Sequence, residues 1–267
     1  MSRELQDDSD PVRTERRGPI TVIVLSRPGR LNAVSLELYR QLIGAVALAN
    51  ADESVRVLVL TGEGRAFCAG ADLKAHAEGP LPPRQRHRYA RTAQRACLAL
   101  QRSAKPVVAA VNGAAVGAGL ELALSCDLIV AASDAKLRLP ELGLGTFVGG
   151  GVTQTLPERV SMTRARELLL LGEFFSGEQA AAMHLVNWSV PADQVLATAI
   201  AVAERVAAKA PIPVRLARQL LRRNRRLGRR AAMAAEARAL ERCMASEDWL
   251  EGVVAFREKR APRYHGR

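Results

Sequence analysis

The sequence predicts an α/β fold in which a parallel sheet with covering helices is followed by a helical C-terminal region. Short β-branched apolar runs alternate with helical patterns in the first half of the chain, which is typical of βαβ crossovers. After about residue 160 the β pattern fades and helical spacing follows. Aromatic residues are only 4% of the 267 residues, and Ala, Leu and Val dominate the apolar set, as expected of helices packed on a parallel sheet.

Four strands and one intervening helix are predicted in the first half. Residues 20–25 (ITVIVL) and 55–61 (VRVLVLT) are β-branched apolar runs that end in turn residues, which indicates buried strands. Between them, residues 35–51 open with a serine N-cap and carry apolar residues at helical spacing. Residues 106–111 (PVVAAV) and 127–132 (DLIVAA) are the third and fourth strands.

The chain divides by pattern into three parts. Residues 1–17 are polar, lack the apolar segment of a signal peptide, and are predicted to be a flexible lead-in. Residues 18–195 are predicted to form the βα core and residues 196–267 the helical C-terminal region. Residues 78–91 are rich in Pro and Arg, which indicates a mobile loop entering a helix. Later helices are predicted at residues 164–171, 177–183, 193–209, 213–227, 230–246 and 248–259.

Composition excludes several classes of protein. No stretch approaches the roughly 20 apolar residues that a membrane span needs, so a soluble protein is expected. The four cysteines form no C-x-x-C pair, so neither a zinc site nor a disulfide framework is indicated, and a reducing cytoplasm fits.

The formal charge of +12 suggests an anionic partner or simple solubility. Much of it lies in residues 215–230, which could form a nucleic-acid-binding face or a solvated helix surface. Because no aromatic residues interleave to stack on bases, the solvated surface is favoured. The arginines concerned are Arg215, Arg218, Arg222, Arg223, Arg225, Arg226, Arg229 and Arg230.

Three glycine-containing segments each follow a predicted strand or extended run. Residues 62–74 (GEGRAFCAGADLK) and 112–127 (NGAAVGAGLELALSCD) follow the second and third strands. Residues 140–154 (PELGLGTFVGGGVTQ) follow a short extended run at 136–139. Small residues allow backbone N–H groups to approach a ligand, although a tight strand-to-helix turn has the same composition.

Two carboxylates stand out in these segments. Glu121 lies inside an apolar helix, where it must be paired or protonated with a raised pKa; a structural salt bridge is the alternative. Glu141 follows a proline and, taken alone, could be a surface carboxylate. The glycines at 149–151 precede a predicted helix, whose N-terminus favours negative charge.

In this order and spacing, the three segments resemble the enoyl-CoA hydratase/isomerase (crotonase) superfamily. Residues 25–35 (LSRPGRLNAVS) are similar to the family's adenine-side loop, and residues 251–262 (EGVVAFREKRAP) to its C-terminal helix. The resemblance covers about residues 18–267. It implies a crotonase-like spiral of ββα units with a helical C-terminal region that takes part in trimerisation and CoA contact.

The resemblance also implies a mechanism. Backbone N–H groups of Ala71 and Ala118 would hold the thioester oxygen as it becomes an enolate, with Ala118 standing where many relatives have glycine. Glu121 would position and deprotonate a water, and Glu141 would protonate the α-carbon. Retention of both glutamates favours hydration of a 2-enoyl-CoA; a Δ3-Δ2-enoyl-CoA isomerase or another enolate-forming activity is the alternative.

Substrate contacts and assembly follow from the same resemblance. Val148 stands where many hydratases have proline. The CoA thioester is the substrate, and no cofactor or metal is expected. A homo-oligomer, either a trimer or a dimer of trimers, is expected, with no membrane or nucleic-acid partner. Besides Ala71, the implied CoA and substrate contacts are Arg30, Ala33, Asp72, Leu73, Lys74, Gly149, Phe256 and Lys259, the last two reaching a neighbouring subunit's CoA.

Overall fold

The computed structural model describes residues 10–72, 79, 82–225 and 227–267. The strands form two sheets, one of six strands in the order β1-β2-β3-β5-β7-β9 and one of three short strands in the order β4-β6-β8. In chain order they are β1 Val12–Arg17, β2 Ile20–Leu25, β3 Val57–Gly62, β4 Ala66–Cys68, β5 Val107–Val111, β6 Ala114–Val116, β7 Leu128–Ala132, β8 Leu137–Arg138 and β9 Trp188–Val190.

The large sheet confirms the predicted parallel arrangement. Strands β2, β3, β5, β7 and β9 run parallel to one another, and the register pairs Leu58 with Val107 and Val108 with Leu128. Strands β2, β3 and β5 are buried along their whole length. Side chains on both faces of these strands must therefore be apolar, which explains their unbroken hydrophobic runs.

The helices largely agree with the predicted positions. The Ser35 side chain accepts a hydrogen bond from the Leu38 N–H, so it caps the first helix as predicted. The helices are α1 Leu36–Ala51, α2 Pro83–Gln101, α3 Ala118–Leu124, α4 Val152–Arg159, α5 Met162–Leu171, α6 Gly177–Ala182, α7 Val195–Ala207, α8 Pro211–Asn224, α9 Arg229–Met244 and α10 Glu247–Glu258. Part of the predicted loop at 78–91 lies outside the described residues, and α2 occupies the rest from Pro83.

The prediction of a flexible lead-in at residues 1–17 is wrong for its second half. Residues 12–17 form β1, which pairs antiparallel with β2 through the turn at Gly18. Its sequence, VRTERR, is charged because β1 is an edge strand with exposed side chains. Residues 1–9 lie outside the described part of the chain.

The division after residue 195 also differs from the structure. Helix α7 packs on β3, β5 and β7, and it buries Val195, Ala199 and Val202 there. It belongs to the core, so the C-terminal region begins with α8. Strand β9 was missed because its three residues are too few to show a period. None of the described helices combines the length and apolarity needed to cross a bilayer.

The arginine-rich segment lies on α8 and at the start of α9. Arg218 is largely buried, forms an ion pair with Asp127 and donates to the Ser103 carbonyl. Arg225 pairs with Glu158. Arg218 and Arg225 thus connect the C-terminal helices to the core through ion pairs. Part of the arginine cluster therefore has a structural role that requires no nucleic acid. Arg226 lies outside the described residues.

Candidate active site

The small sheet β4-β6-β8 brings the three glycine-containing segments together. Its strands are parallel, with β6 in the centre, so the residues that follow each strand meet at one edge. Ala71 follows β4, Ala118 follows β6, and Glu141 follows β8. The Gly117 N–H extends this pairing by donating to the Arg138 carbonyl (2.8 Å). Side chains and amides from distant parts of the chain therefore share one edge.

The amides of Ala71 and Ala118 both point away from internal acceptors. Ala71 forms a parallel bridge with Val34, in which the Gly70 carbonyl accepts from the Val34 N–H (2.8 Å). In such a bridge the Ala71 N–H is directed to the other side of its strand. Ala118 is the first residue of α3, whose N–H has no intrahelical acceptor.

The same two segments approach each other closely. A Cβ placed on Gly70 would lie 2.6 Å from the Val116 carbonyl oxygen and 3.8 Å from the Ala118 nitrogen. Only a glycine permits this approach, and its φ of +93° also requires one. The backbone thus offers two N–H donors from adjacent segments, an arrangement able to bind one carbonyl oxygen.

Glu121 is held by the backbone of the third glycine segment. It lies on α3, is 5% exposed, and its Oε1 accepts a hydrogen bond from the Gly149 N–H (2.8 Å). Burial raises the pKa of Glu121, while hydrogen bonds from Gly149 and Gly150 oppose the rise. The sequence predicted that Glu121 is either paired or protonated with a raised pKa. The pKa is raised, and the side chain is held by backbone amides rather than by a cation.

Glu141 opens a short 3₁₀ helix and turns its carboxyl group toward Gly117. A Cβ placed on Gly117 would lie 2.6 Å from Glu141 Oε1, and Gly117 has φ +52° and ψ −120°, a conformation that favours glycine. Glu141 is buried, and its Oε2 has no hydrogen-bond partner among the described residues. The carboxyl group is thus placed against the peptide that leads into Ala118.

The two glutamates interact electrostatically. Burial raises the pKa of Glu141, and the charge of Glu121 raises it further. The thiol of Cys97, on α2, also lies in this field: burial raises its pKa to about 12, and Glu121 adds to the rise. A pair of buried carboxyl groups with raised pKa values is typical of sites that transfer protons.

The predicted CoA-side residues meet in the loop after β2. Asp72 lies within ion-pair distance of Arg27 (3.5 Å) and Arg30 (3.2 Å). Arg27 is buried and also donates to the Ala33 carbonyl (2.6 Å). Arg30 is half exposed. The loop is therefore fixed against the segment carrying Ala71, with Arg30 at the solvent side.

The glycines at 149–151 precede a helix as predicted, since α4 begins at Val152 with Gly151 as its N-cap. The Gly149 N–H donates to Glu121 Oε1, so this residue holds the carboxylate. Its contact with the substrate stays a prediction. Val148, beside Gly149, is buried.

The predicted roles of four further contact residues stay predictions. Leu73 and Lys74 lie outside the described residues. Phe256 and Lys259 lie at the end of α10, which packs on α9 and not on the strands that carry the site. Phe256 is 87% exposed.

Sequence reasoning missed two residues that shape the site. Arg27 was one arginine among many, and nothing local marks it as buried. Asn32 is fully buried with φ +56°, and its side chain donates to the carbonyls of Glu63 and Ala66. Asparagine tolerates the left-handed region better than most residues, which is the signal that could have identified it.

Comparison with known proteins gives a consistent family. Residues 15–267 match the family described as enoyl-CoA hydratase/isomerase. A 2,3-dehydroadipyl-CoA hydratase of Escherichia coli is 37% identical, with 94% of this chain and 97% of the relative covered. A crotonyl-CoA hydratase of Syntrophomonas wolfei is 34% identical, with 94% and 96% covered.

Solved structures agree with the sequence comparison. The crystal structure of an enoyl-CoA hydratase from Bacillus anthracis superposes with a TM-score of 0.92 at 35% identity, covering 97% of this chain and all of that one.

Proposed function

The chain belongs to the enoyl-CoA hydratase/isomerase family, and on that premise we propose that it is an enzyme that adds water to 2-enoyl-CoA thioesters. Water oxygen bonds to C3, a proton is added at C2, and the product is a 3-hydroxyacyl-CoA. The observation that carries the proposal is the placement of Glu141 against the Gly117–Ala118 peptide, with Glu121 one helical turn further along α3.

The backbone amides act on the thioester. The N–H groups of Ala71 and Ala118 bind its carbonyl oxygen, which becomes an enolate oxygen when water attacks C3. Donors fixed in advance stabilise this charge without reorganisation, and losing one typically costs about 3–4 kcal/mol in similar sites.

The glutamates handle the protons. Glu121, fixed by the Gly149 amide, accepts a proton from the attacking water. Glu141 has an oxygen with no partner among the described residues, and it delivers a proton to C2. Glu141 starts protonated and Glu121 ionised, and transfer of the proton from Glu121 to Glu141 after the addition restores both groups, so the proposed reaction balances without a cofactor. Because the two carboxyls are coupled, they titrate as a pair.

The loop after β2 supplies the CoA side of the site. Arg30 lies next to Asp72 and is half exposed. We propose that it binds a CoA phosphate and that the backbone at Ala33 binds the adenine. Leu73 and Lys74 are proposed to continue this surface. The free, separated cysteines are compatible with a cytoplasmic location.

The test is loss of the near-ultraviolet absorbance of a conjugated thioester, measured with crotonyl-CoA and longer 2-enoyl-CoAs. We expect hydration in the wild type and a loss of at least about 100-fold in kcat for Glu121→Gln and Glu141→Gln. The matched control is Glu178→Gln, an exposed glutamate on α6, which should retain full activity.

Two results would contradict the proposal. Near-wild-type turnover in either site variant would reject that residue's role. Conversion of 3-enoyl-CoA to 2-enoyl-CoA with no hydration of any chain length would assign the isomerase reaction instead.

We also propose that the protein assembles as a trimer, and as a dimer of trimers, through its C-terminal helices. Trp249, Val253 and Phe256 follow a spacing of i, i+4, i+7, so they lie on one face of α10, and all three are exposed. Such an apolar face is typical of a protein interface. Assembly would carry Phe256 and Lys259 toward a neighbouring subunit's CoA.

Light scattering coupled to gel filtration measures the assembly. Phe256→Asp should lower the mass and raise KM for the acyl-CoA. Leu48→Asp, at an equally exposed apolar position on α1, should leave both unchanged. A monomeric wild type, or an unchanged mass for Phe256→Asp, would contradict the proposed interface.

A further inference from the structure

A cationic cleft lies at the end of the large sheet opposite the active site. Arg56 and Lys105 line the cleft just before the starts of β3 and β5. Lys209 and Arg215 line it near the end of α7 and the start of α8. The active site lies beyond the other ends of these strands. Because strands of five or six residues span roughly 17–20 Å, the two sites are separate.

The basic side chains of this cleft outnumber its acidic ones. Glu53 lines the cleft, and the neighbouring Asp52 pairs with Arg16. Arg267, at the rim, pairs with Glu247. Arg56, Lys105, Lys209 and Arg215 form no ion pair with any carboxylate in the described part of the chain.

Two of these side chains are partly buried with their charge incompletely compensated. Arg56 donates from Nη2 to the Tyr264 carbonyl, while its buried Nη1 has no hydrogen-bond partner among the described residues. Lys105 donates to the Asp52 carbonyl. Burial lowers the pKa of Lys105. The charges of Asp52 and Glu53 oppose this effect, while those of Arg16 and Arg56 lower the pKa further. An anion would relieve this repulsion.

Another polar cleft of the described residues differs in this respect. It is formed by α10 and the residues after it, and its charges are matched: Glu251 binds Arg260 through two hydrogen bonds, and Asp248 accepts from the N–H groups of His265 and Gly266. The overall positive charge of the protein therefore does not produce unpaired charges in every cleft. The cleft at Arg56 has an excess of cations that this second cleft lacks.

We propose that this cleft binds the phosphate group of a phosphorylated small molecule of nucleotide size. Arg56, Lys105, Lys209 and Arg215 line a volume of about 590 Å³, within the range of small-molecule sites. Pro106, Val206, Ile212 and other apolar residues form part of the lining, against which a ring can pack. The start of the 14-residue α8 contributes further positive potential.

Isothermal titration calorimetry with inorganic pyrophosphate and with ADP tests the inference. The ionic strength is fixed at about 150 mM, so that the screening of electrostatic attraction by salt is the same in every titration. The test variant is Lys209→Gln/Arg215→Gln, whose side chains make no hydrogen bond or ion pair to another described residue. The control is Lys136→Gln/Arg166→Gln, which removes two exposed charges elsewhere. Thermal unfolding checks that each variant is folded.

The wild type and the control are expected to bind both probes with similar Kd, and the test variant at least tenfold more weakly. ADP should bind more tightly than pyrophosphate if the apolar wall receives its ring. Pyrophosphate binding should persist with acetyl-CoA present, which separates this cleft from the active site and makes the outcome independent of the proposed reaction. Absence of binding by both probes, an equal loss in the control, or full competition by acetyl-CoA would overturn the inference.

Discussion

Replacing Gly117 with alanine should displace the Glu141 carboxyl group and so lower activity, although Glu141 itself is unchanged. The added Cβ would lie 2.6 Å from Glu141 Oε1, whereas an ordinary contact begins at 3.4 Å, so the carboxyl must move by about 0.8 Å. A misplacement of about 1 Å in a catalytic site can cost about 100-fold in rate. We therefore expect kcat for hydration of crotonyl-CoA to fall about 10- to 100-fold. The positive φ adds about 1–3 kcal/mol of strain to the folded state.

A second pair of variants assigns the loss to Glu141. Gly18→Ala introduces a similar positive φ in the β1–β2 turn with no atom within 4 Å, so it should lower stability while leaving kcat unchanged. In a Glu141→Ala background the clash is absent, and Gly117→Ala should reduce the residual rate little further. Wild-type kcat in a folded Gly117→Ala protein would refute the reasoning. An undiminished loss in the Glu141→Ala background would show that the change acts on another group.

Two further predictions concern stability. The pKa of Glu121 is raised in the folded state, so its contribution to stability is full below the unfolded value near 4.5 and is lost as pH rises through the folded pKa. As pH rises above about 4.5, Glu121→Gln should therefore lose less thermal stability than the wild type; an identical pH dependence would contradict this. Arg27→Ala should lower the free energy of unfolding by about 3 kcal/mol, because Asp72 and a backbone carbonyl lose a buried partner. Arg30→Ala, at the exposed partner of the same Asp72, should cost less than about 1 kcal/mol in chemical denaturation, and equal costs would refute the distinction.

The large sheet could be predicted because its signal is local. Strands β2, β3, β5 and β7 are runs of five or six residues that are buried except for Leu128 at the start of β7, long enough for β-branched apolar composition to stand out. Strand β1 could not be predicted in the same way, since an edge strand exposed to water is free to carry VRTERR. Its pairing with β2 is set by the turn at Gly18 and not by hydrophobic pattern.

The small sheet that assembles the site has no such signal. Strands β4, β6 and β8 contain two or three residues each, and a run this short shows neither alternation nor a distinctive composition. The sequence alone marked Glu121, because a carboxylate in an apolar helix needs an explanation. The roles of Ala71, Ala118 and Glu141 came from the family resemblance, which carries the spatial information that these short strands lack.

The third glycine segment shows why the two carboxyls differ. The Gly149 N–H holds Glu121 in place, and Gly150 adds a second hydrogen bond. Glu141 has no comparable restraint on Oε2 among the described residues. A buried carboxyl oxygen without a partner costs stability and persists where function needs it. We infer that the fixed glutamate orients the water, while the unrestrained oxygen of Glu141 exchanges a proton with carbon as the substrate changes geometry.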